Sequence, residues 1–219
     1  MSTIADNIKQ IRDELSGYKG RIIAVSKYVA AQKMHEAYEA GVRDFAESKV
    51  KDALAKIETL PKEIRDNCIW HFIGHLQTNK AKNVIGNFDY IHSVDSLKLA
   101  QVINDLAKDR GLTQKILLQV NISDEETKFG FSSKELFEVF PEIFKLENIS
   151  VEGLMMMAPY LSDEATLTSL FREMKTLKSK LECGFSFTLK ELSMGMSNDY
   201  KVAIQESSTM VRIGTKIFK

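Results

Sequence analysis

A lysine that ends an apolar run is the first residue whose position suggests chemistry. Lys27 follows Ile22-Ile-Ala-Val25 and Ser26, and such a run is typical of a buried strand. We expect Lys27 to lie at the carboxyl end of this strand with apolar neighbours, where desolvation would lower its pKa and leave more free amine to attack a carbonyl group. A single lysine at a strand end is usually only a solvated loop residue, so its meaning depends on its surroundings.

Two loops near the C-terminus have the composition of an anion site. Ser197 follows the apolar run that ends in Ser193 and is a good N-cap for the helix expected next. Gly214 and Thr215 follow the last apolar run, which contains Arg212, and the glycine allows close approach of the backbone to a ligand. The two hydroxyls, the backbone N–H groups and the helix dipole would converge on a phosphate. Capping and turn chemistry also explains each loop separately.

A lysine opposite a phosphate site suggests a phosphorylated carbonyl compound as the ligand. Class I aldolases and pyridoxal phosphate proteins both use this combination. The residues considered so far leave both open.

An alternation of strands and helices is predicted to position these residues. After an N-terminal helix over Ile4–Leu15, the predicted strands are Arg21–Val25, Asp44–Ala46, Ile69–Ile73, Tyr90–His92, Lys115–Asn121, Ser150–Met155, Lys190–Ser193 and Met210–Ile213. The predicted helices between them are Ala31–Ala40, Lys49–Glu58, Gln77–Ile85, Ser96–Asp109, Lys134–Phe144, Glu164–Lys180 and Asp199–Glu206, of which Gln77–Ile85 has the weakest pattern. We expect one α/β domain over residues 1–219, a single (β/α)8 TIM-type barrel whose site lies at the carboxyl ends of its strands. A doubly wound open sheet is the alternative, but no Gly-x-Gly-x-x-Gly motif follows the first strand.

The composition excludes several classes of protein. Lys plus Arg and Asp plus Glu both total 30 in 219 residues, and this balance disfavours nucleic acid or an anionic membrane as the main partner. Cys68 and Cys183 are far apart and lie outside any zinc-ligand spacing. The N-terminal segment is charged throughout and unlike a signal peptide, and no apolar stretch is long enough to span a bilayer. We therefore expect a cytoplasmic protein.

A series of short motifs runs in order from Ala24 nearly to the C-terminus. The motifs are Ala24-Val-Ser-Lys27, Trp70-His-Phe-Ile-Gly74, Leu76-Gln-Thr-Asn-Lys80, His92-Ser-Val-Asp-Ser96, Leu118-Gln-Val-Asn121, Lys128-Phe-Gly130, Gly153-Leu-Met155, Leu192-Ser-Met-Gly-Met-Ser197 and Val211-Arg-Ile-Gly-Thr-Lys-Ile-Phe218. Each is weak alone, but the ordered series resembles the pyridoxal phosphate homeostasis protein family of bacteria and eukaryotes.

The resemblance implies a barrel like the N-terminal domain of alanine racemase and the fold-type III decarboxylases. It implies pyridoxal 5'-phosphate (PLP) as cofactor, held as a Schiff base on Lys27, with Ser197, Gly214 and Thr215 at the phosphate. Arg212 would reach the ring nitrogen or the phosphate. Family members have no established turnover and help to balance intracellular vitamin B6 and amino-acid pools, so PLP-dependent apo-enzymes are possible clients. We expect a monomer.

One motif departs from the family pattern. Where the family usually has Phe-Gly-Glu-Asn, this chain has Phe45-Ala-Glu-Ser48. Ser48 keeps a hydroxyl but has a shorter reach than an amide, which puts a contact to the ring face or 3'-oxygen of the cofactor in doubt.

Three histidines and a methionine run are further candidates. His71 alternates with Phe72, which favours a packed strand residue over an acid or base. His75 and His92 lie at strand ends, where exposed-loop roles are equally consistent. Leu154-Met-Met-Met157 is predicted to line the top of the barrel.

Three function classes remain: a PLP-binding protein without turnover, a fold-type III racemase or decarboxylase, and a class I aldolase. The chain reaches Lys219 directly after the eighth predicted strand, so we expect no β-domain to supply the second acid that racemisation needs. An arginine against the ring nitrogen would also weaken the electron sink. The aldolase alternative does not predict the motif series. We therefore expect the first class.

Overall fold

Eight parallel strands pair in chain order and close into a barrel in this computed structural model, which describes residues 3–123, 125, 128–160 and 162–219. The strands are β1 Arg21–Val25, β2 Asp44–Glu47, β3 Ile69–Phe72, β4 Tyr90–Val94, β5 Gln114–Gln119, β6 Ile149–Met155, β7 Glu191–Met196 and β8 Met210–Ile213. β8 closes the barrel by pairing with β1, with Ile22 opposite Val211. The predicted barrel is confirmed, and the open sheet is excluded.

Helices lie on the outside of the barrel, one before the first strand and the others after later strands. They are α1 Ile4–Glu14, α2 Ala31–Glu39, α3 Val50–Glu58, α4 Lys62–Asn67, α5 Leu97–Asp109, α6 Ser133–Phe144, α7 Glu164–Phe185, α8 Tyr200–Gln205 and α9 Thr215–Phe218. α4 and α9 are short and were not predicted. The segment with the weakest pattern is a 3-10 helix over Thr78–Asn83.

Helix α7 is longer than its sequence predicts. The sequence pattern predicts an end at Lys180, but the helix continues to Phe185 and stops at Ser186, whose φ is +51°. The extra turn is stabilised because the Phe185 ring packs on other aromatic rings, with centroid distances of 5.2 Å to Phe137 and 5.0 Å to Phe140.

The apolar core has two parts. The larger part fills the space between the strands and the helices. The smaller part lies inside the barrel and consists of Ile23, Ala46, Tyr90, Leu117, Met155 and Met210. Because strand side chains alternate in direction, Leu154 and Met156 belong to the outer part, and Met157 is 38% exposed. The predicted lining of the barrel top by the whole methionine run is therefore wrong.

A glycine near the end of β7 lets this strand bulge. Gly195 has φ +93°, and a Cβ atom there would lie 2.6 Å from the Cβ atom of Ala203. The pairing with β8 shifts register between Ser193 and Met196. Only glycine fits this position, and the bulge sets where the strand delivers Ser197.

Candidate functional site

The carboxyl ends of three neighbouring strands bring the predicted site residues to one end of the barrel. β8 pairs with β1 on one side and with β7 on the other. Gly214, just after β8, lies so close to β1 that a Cβ atom on it would be 3.2 Å from the carbonyl oxygen of Val25. The loop that carries Gly214 and Thr215 therefore lies beside the loop that carries Lys27.

Lys27 lies in the turn that follows β1, and its side chain is exposed. Its Nζ atom is 5.0 Å from the centroid of the Tyr28 ring. The prediction that apolar neighbours desolvate this lysine is wrong, since the turn carries it beyond the apolar part of the strand. The amine is instead accessible to a ligand at this end of the barrel.

A buried ion pair under this turn holds its backbone. Lys56 Nζ, from α3, donates to the carbonyl oxygens of Ser26 at 2.7 Å and Val29 at 3.3 Å. The same ammonium is 2.5 Å from Glu47 Oε1, which also accepts from the Ser26 hydroxyl at 2.6 Å. Glu47 belongs to the Phe45-Ala-Glu-Ser48 motif described above. Lys56 belongs to none of the motifs, so its role was not predicted.

The loops after β7 and β8 are joined by a hydrogen bond. The Gly214 N–H donates to Ser197 Oγ at 3.3 Å. The sequence predicted Ser197 as the N-cap of α8, but this prediction is wrong. The helix begins later, and Asp199 occupies the N-cap position. Among the described residues, the N–H groups of Ser197 and Thr215 have no hydrogen-bond acceptor. These donors, at the surface, suit an anion.

Arg212 is a buried cation with unused donors. Its Nη1 donates to the carbonyl oxygen and the hydroxyl of Ser193 at 2.7 and 2.6 Å, and its Nη2 donates to the carbonyl oxygen of Met156 at 2.8 Å. A guanidinium has five N–H groups, so two have no acceptor within the described part of the chain. Burial lowers the pKa of Arg212 to about 10, and the negative charge of Asp199 opposes this shift. The group stays a cation at neutral pH, and its free donors can bind an acceptor on a ligand.

Ser48 follows β2 and is half-buried. A Cβ atom on Gly74 would lie 2.1 Å from the Ser48 carbonyl oxygen, so the chain after β3 passes directly over this backbone. The position of Ser48 is therefore fixed, and its contact with a cofactor stays a prediction.

One of the three candidate histidines, His92, differs from its sequence-based expectation. His71 is fully buried, as a packed strand residue should be, but His92 is also fully buried, so an exposed-loop role for it is wrong. His75 is exposed, with its ring stacked on Phe129 at a centroid distance of 3.8 Å. The partners of His92 and of Ser193 were missed, because a strand pattern does not show which polar side chains meet across a barrel.

The described residues contain neither a metal-ligand cluster nor a membrane-spanning helix. Among them, no three His, Cys, Asp or Glu side chains are grouped as metal ligands would be. No helix in these ranges is long and apolar enough to cross a membrane.

The sequence as a whole matches known proteins. Residues 1–219 match the family model for the alanine racemase N-terminal domain. The chain is 41% identical over 198 residues to the pyridoxal phosphate homeostasis protein of Synechocystis sp., with 90% of each chain covered. The chain belongs to the pyridoxal phosphate homeostasis protein family. The resemblance carried by the motif series is thereby confirmed.

Solved structures place this family member among related barrels. PipY of Synechococcus elongatus, solved with PLP bound, is 35% identical, covers 99% of this chain and all of its own, and superposes with a TM-score of 0.90. Alanine racemase of Clostridium difficile is 19% identical, with 98% of this chain and 56% of that chain covered and a TM-score of 0.82. The second likeness shows that the two proteins share the barrel fold.

Proposed function

We propose that this protein binds PLP at the carboxyl end of its barrel, covalently through Lys27, and keeps intracellular vitamin B6 and amino-acid pools in balance without catalytic turnover. The observation that carries the proposal is the contact of Gly214 with the end of β1, because it sets an anion-binding loop beside an accessible amine. The name of the Synechocystis relative and the PLP bound to PipY support it.

The donor groups of the site fit each part of the cofactor. PLP supplies an aldehyde that condenses with an amine, and Lys27 Nζ is exposed where it can meet one. The hydroxyls of Ser197 and Thr215, with the N–H groups of Ser197, Gly214 and Thr215, would hold the phosphate. Ser48 would lie near the ring face or the 3'-oxygen.

We assign Arg212 to the ring nitrogen because it lies deeper in the barrel than the proposed phosphate donors. Arg212 is 3% exposed and lies two residues before Gly214 in the chain, inside the barrel, whereas the phosphate donors are on residues that are half-buried or exposed. A guanidinium has donors only, so the pyridine nitrogen that it contacts must accept and therefore stays unprotonated. An unprotonated pyridine is a poor electron sink, which supports binding without turnover.

Further parts of the proposal concern the protein as a whole. Residues 1–219 form one PLP-binding domain, which acts as a monomer in the cytoplasm. PLP-dependent apo-enzymes are its clients. The equal numbers of basic and acidic residues support a role that involves neither nucleic acid nor a membrane surface.

Reduction of the loaded protein tests this function directly. Protein incubated with PLP should turn yellow, and borohydride followed by peptide mass mapping should place the pyridoxyl group on Lys27. Lys27→Ala should abolish the visible band, whereas Lys80→Ala, a change at another exposed lysine, should leave it. A pyridoxyl group on Lys80 or Lys216, or no visible band in the wild type, would contradict the proposal.

A further inference from the structure

A continuous chain of hydrogen bonds runs through the barrel interior from Arg212 to the opposite end. Arg212 Nη1 lies 2.6 Å from Ser193 Oγ, which lies 2.9 Å from His92 Nδ1. His92 Nε2 lies 2.9 Å from His71 Nδ1, and His71 Nε2 lies 3.1 Å from Asp44 Oδ1. We call these five residues, which come from β8, β7, β4, β3 and β2, the relay. Its three middle members are fully buried.

The two ends of the relay fix the direction of every bond in it. Arg212 can only donate, and the Asp44 carboxylate, which also pairs with Arg21 at 3.0 Å, can only accept. The Ser193 hydroxyl therefore accepts from Arg212 and donates to His92 Nδ1. His92 and His71 must then each carry their proton on Nε2. The reverse direction would set an unprotonated His71 nitrogen against a carboxylate oxygen.

The surroundings of the two histidines favour their neutral forms. Burial lowers the pKa of His92 well below its usual value, and the neighbouring His71 and Arg212 lower it further. Burial also lowers the pKa of His71, although Asp44 opposes this shift. The Tyr90 ring stacks on His71 at a centroid distance of 5.0 Å. One neutral tautomer of each ring thus satisfies all its hydrogen bonds.

We propose that the relay is a positioning device, in which Ser193 and His92 hold the Arg212 guanidinium in one orientation toward the cofactor ring. The cofactor part of this inference rests on the proposed function. Every O–H and N–H dipole in the relay points away from Arg212 and toward Asp44, so each bond polarises the next and presents negative charge to the buried cation. Among the described residues, the hydrogen-bond acceptors of Arg212 are all uncharged, and the relay links it to a carboxylate four hydrogen bonds away.

Histidine nitrogen spectroscopy on the ligand-free protein tests the relay without any cofactor. The chain has four histidines, and the double variant His35→Gln/His75→Gln removes the two exposed ones. At about pH 7 the ¹⁵N spectrum should show two neutral rings protonated on Nε2. A ring protonated on Nδ1, or a doubly protonated His71, would overturn the proposed direction and with it the positioning role.

Two serine variants, one on β7 and one in the segment just before β8, test the effect on the cofactor. Ser193→Ala removes the link between Arg212 and His92. Ser208→Ala is the matched control, because Ser208 is also buried and its hydroxyl donates to the Met194 carbonyl oxygen at 2.7 Å, away from Arg212. Ser193→Ala should weaken PLP binding by about tenfold and change the pH dependence of the visible band, whereas Ser208→Ala should change neither.

The outcomes separate the two proposals. If the wild type binds PLP but Ser193→Ala behaves as Ser208→Ala does, the positioning role is wrong and the proposed function stands. If the wild type does not bind PLP, the proposed function and the cofactor part of the inference both fail. The nitrogen spectra then still decide the direction of the relay.

Discussion

The ammonium group of Lys56 donates to the carbonyl oxygen of Ser26 at 2.7 Å, and Ser26 begins the turn that presents Lys27. The same ammonium is paired with Glu47, which is 2% exposed. A helix outside the barrel thus reaches through to the backbone of the site. Because breaking a buried pair leaves one charge uncompensated, the geometry of this turn is coupled to the stability of the whole barrel.

Lys56→Met should therefore destabilise the protein and disturb the attachment of PLP. We expect a loss of about 3 kcal/mol in the free energy of unfolding and a weaker visible band at limiting PLP. Chemical denaturation and absorbance titration measure the two effects. Lys51→Met on the exposed face of the same helix is the control and should have little effect on either. Equal behaviour of the two variants would show that the pair does not support the turn.

Ser197→Ala or Thr215→Ala should weaken the binding of PLP more than the binding of pyridoxal. Each removes a hydroxyl from the proposed phosphate position, and loss of one hydrogen bond to a charged acceptor costs about 1.5–3 kcal/mol, or roughly tenfold to a hundredfold in affinity. Pyridoxal lacks the phosphate and serves as the internal control in an absorbance titration. Equal losses for both ligands would place the phosphate elsewhere.

Sequence patterns predicted the barrel because each strand and helix has a local signal. The bounds of β1 and β8 were predicted to the residue, since a charged or turn residue flanks each short apolar run. The site residues after these strands could be found by the same logic, as parallel strands deliver their following loops to one end. Their side-chain roles at the cofactor stay predictions.

The missed features depend on contacts between distant parts of the chain. Lys56 acts on a turn thirty residues away along the chain, and nothing near it in sequence indicates this. His92 is in the interior because β4 continues to Val94, two residues past its predicted end. Polar residues inside a barrel look like strand-end residues until the register of all eight strands is known.

The two relay histidines should make the protein less stable in mild acid. Their pKa values are lowered by burial in the folded state, so below the unfolded value of about 6.5 the unfolded chain binds more protons and stability falls. Each histidine contributes a slope of up to about 1.4 kcal/mol per pH unit. Between about pH 7 and 5, the free energy of unfolding should change less in His92→Asn than in the wild type. Exposed His35→Gln should keep the wild-type slope, and a flat wild-type profile would contradict the prediction.

Glu14 should stabilise the protein at neutral pH and should lose this effect in stronger acid than the histidines do. Hydrogen bonds from Lys216, Tyr200 and Lys201 hold the pKa of this carboxyl well below its usual value and tie α1 to α8 and α9. Its contribution is fully present above the unfolded pKa of about 4.3 and is lost as the pH falls through the folded value. Glu14→Gln should cost about 1 kcal/mol at neutral pH, since these pairs are partly exposed.

Thermal unfolding at neutral and at strongly acidic pH measures this difference. Glu58→Gln is the control, because Glu58 is exposed and has no salt bridge within the described residues. A cost for Glu14→Gln that is as large in acid as at neutral pH would show that the carboxyl acts by packing rather than by charge.

With a panel of L- and D-amino acids, the PLP-loaded protein should neither racemise nor decarboxylate at an enzymatic rate, about 1–1,000 per second. In the proposed site Arg212 would offer only donors to the ring nitrogen, so the pyridine would keep little capacity to take up electrons. Because Lys27 is exposed, water can enter the site. Water weakens the electrostatic stabilisation that a closed site would give to a reacting group. Slow exchange of the α-hydrogen for deuterium is compatible, because it needs only one base. Chiral analysis of the products measures turnover, and racemisation at an enzymatic rate that disappears in Lys27→Ala would make the protein a fold-type III enzyme.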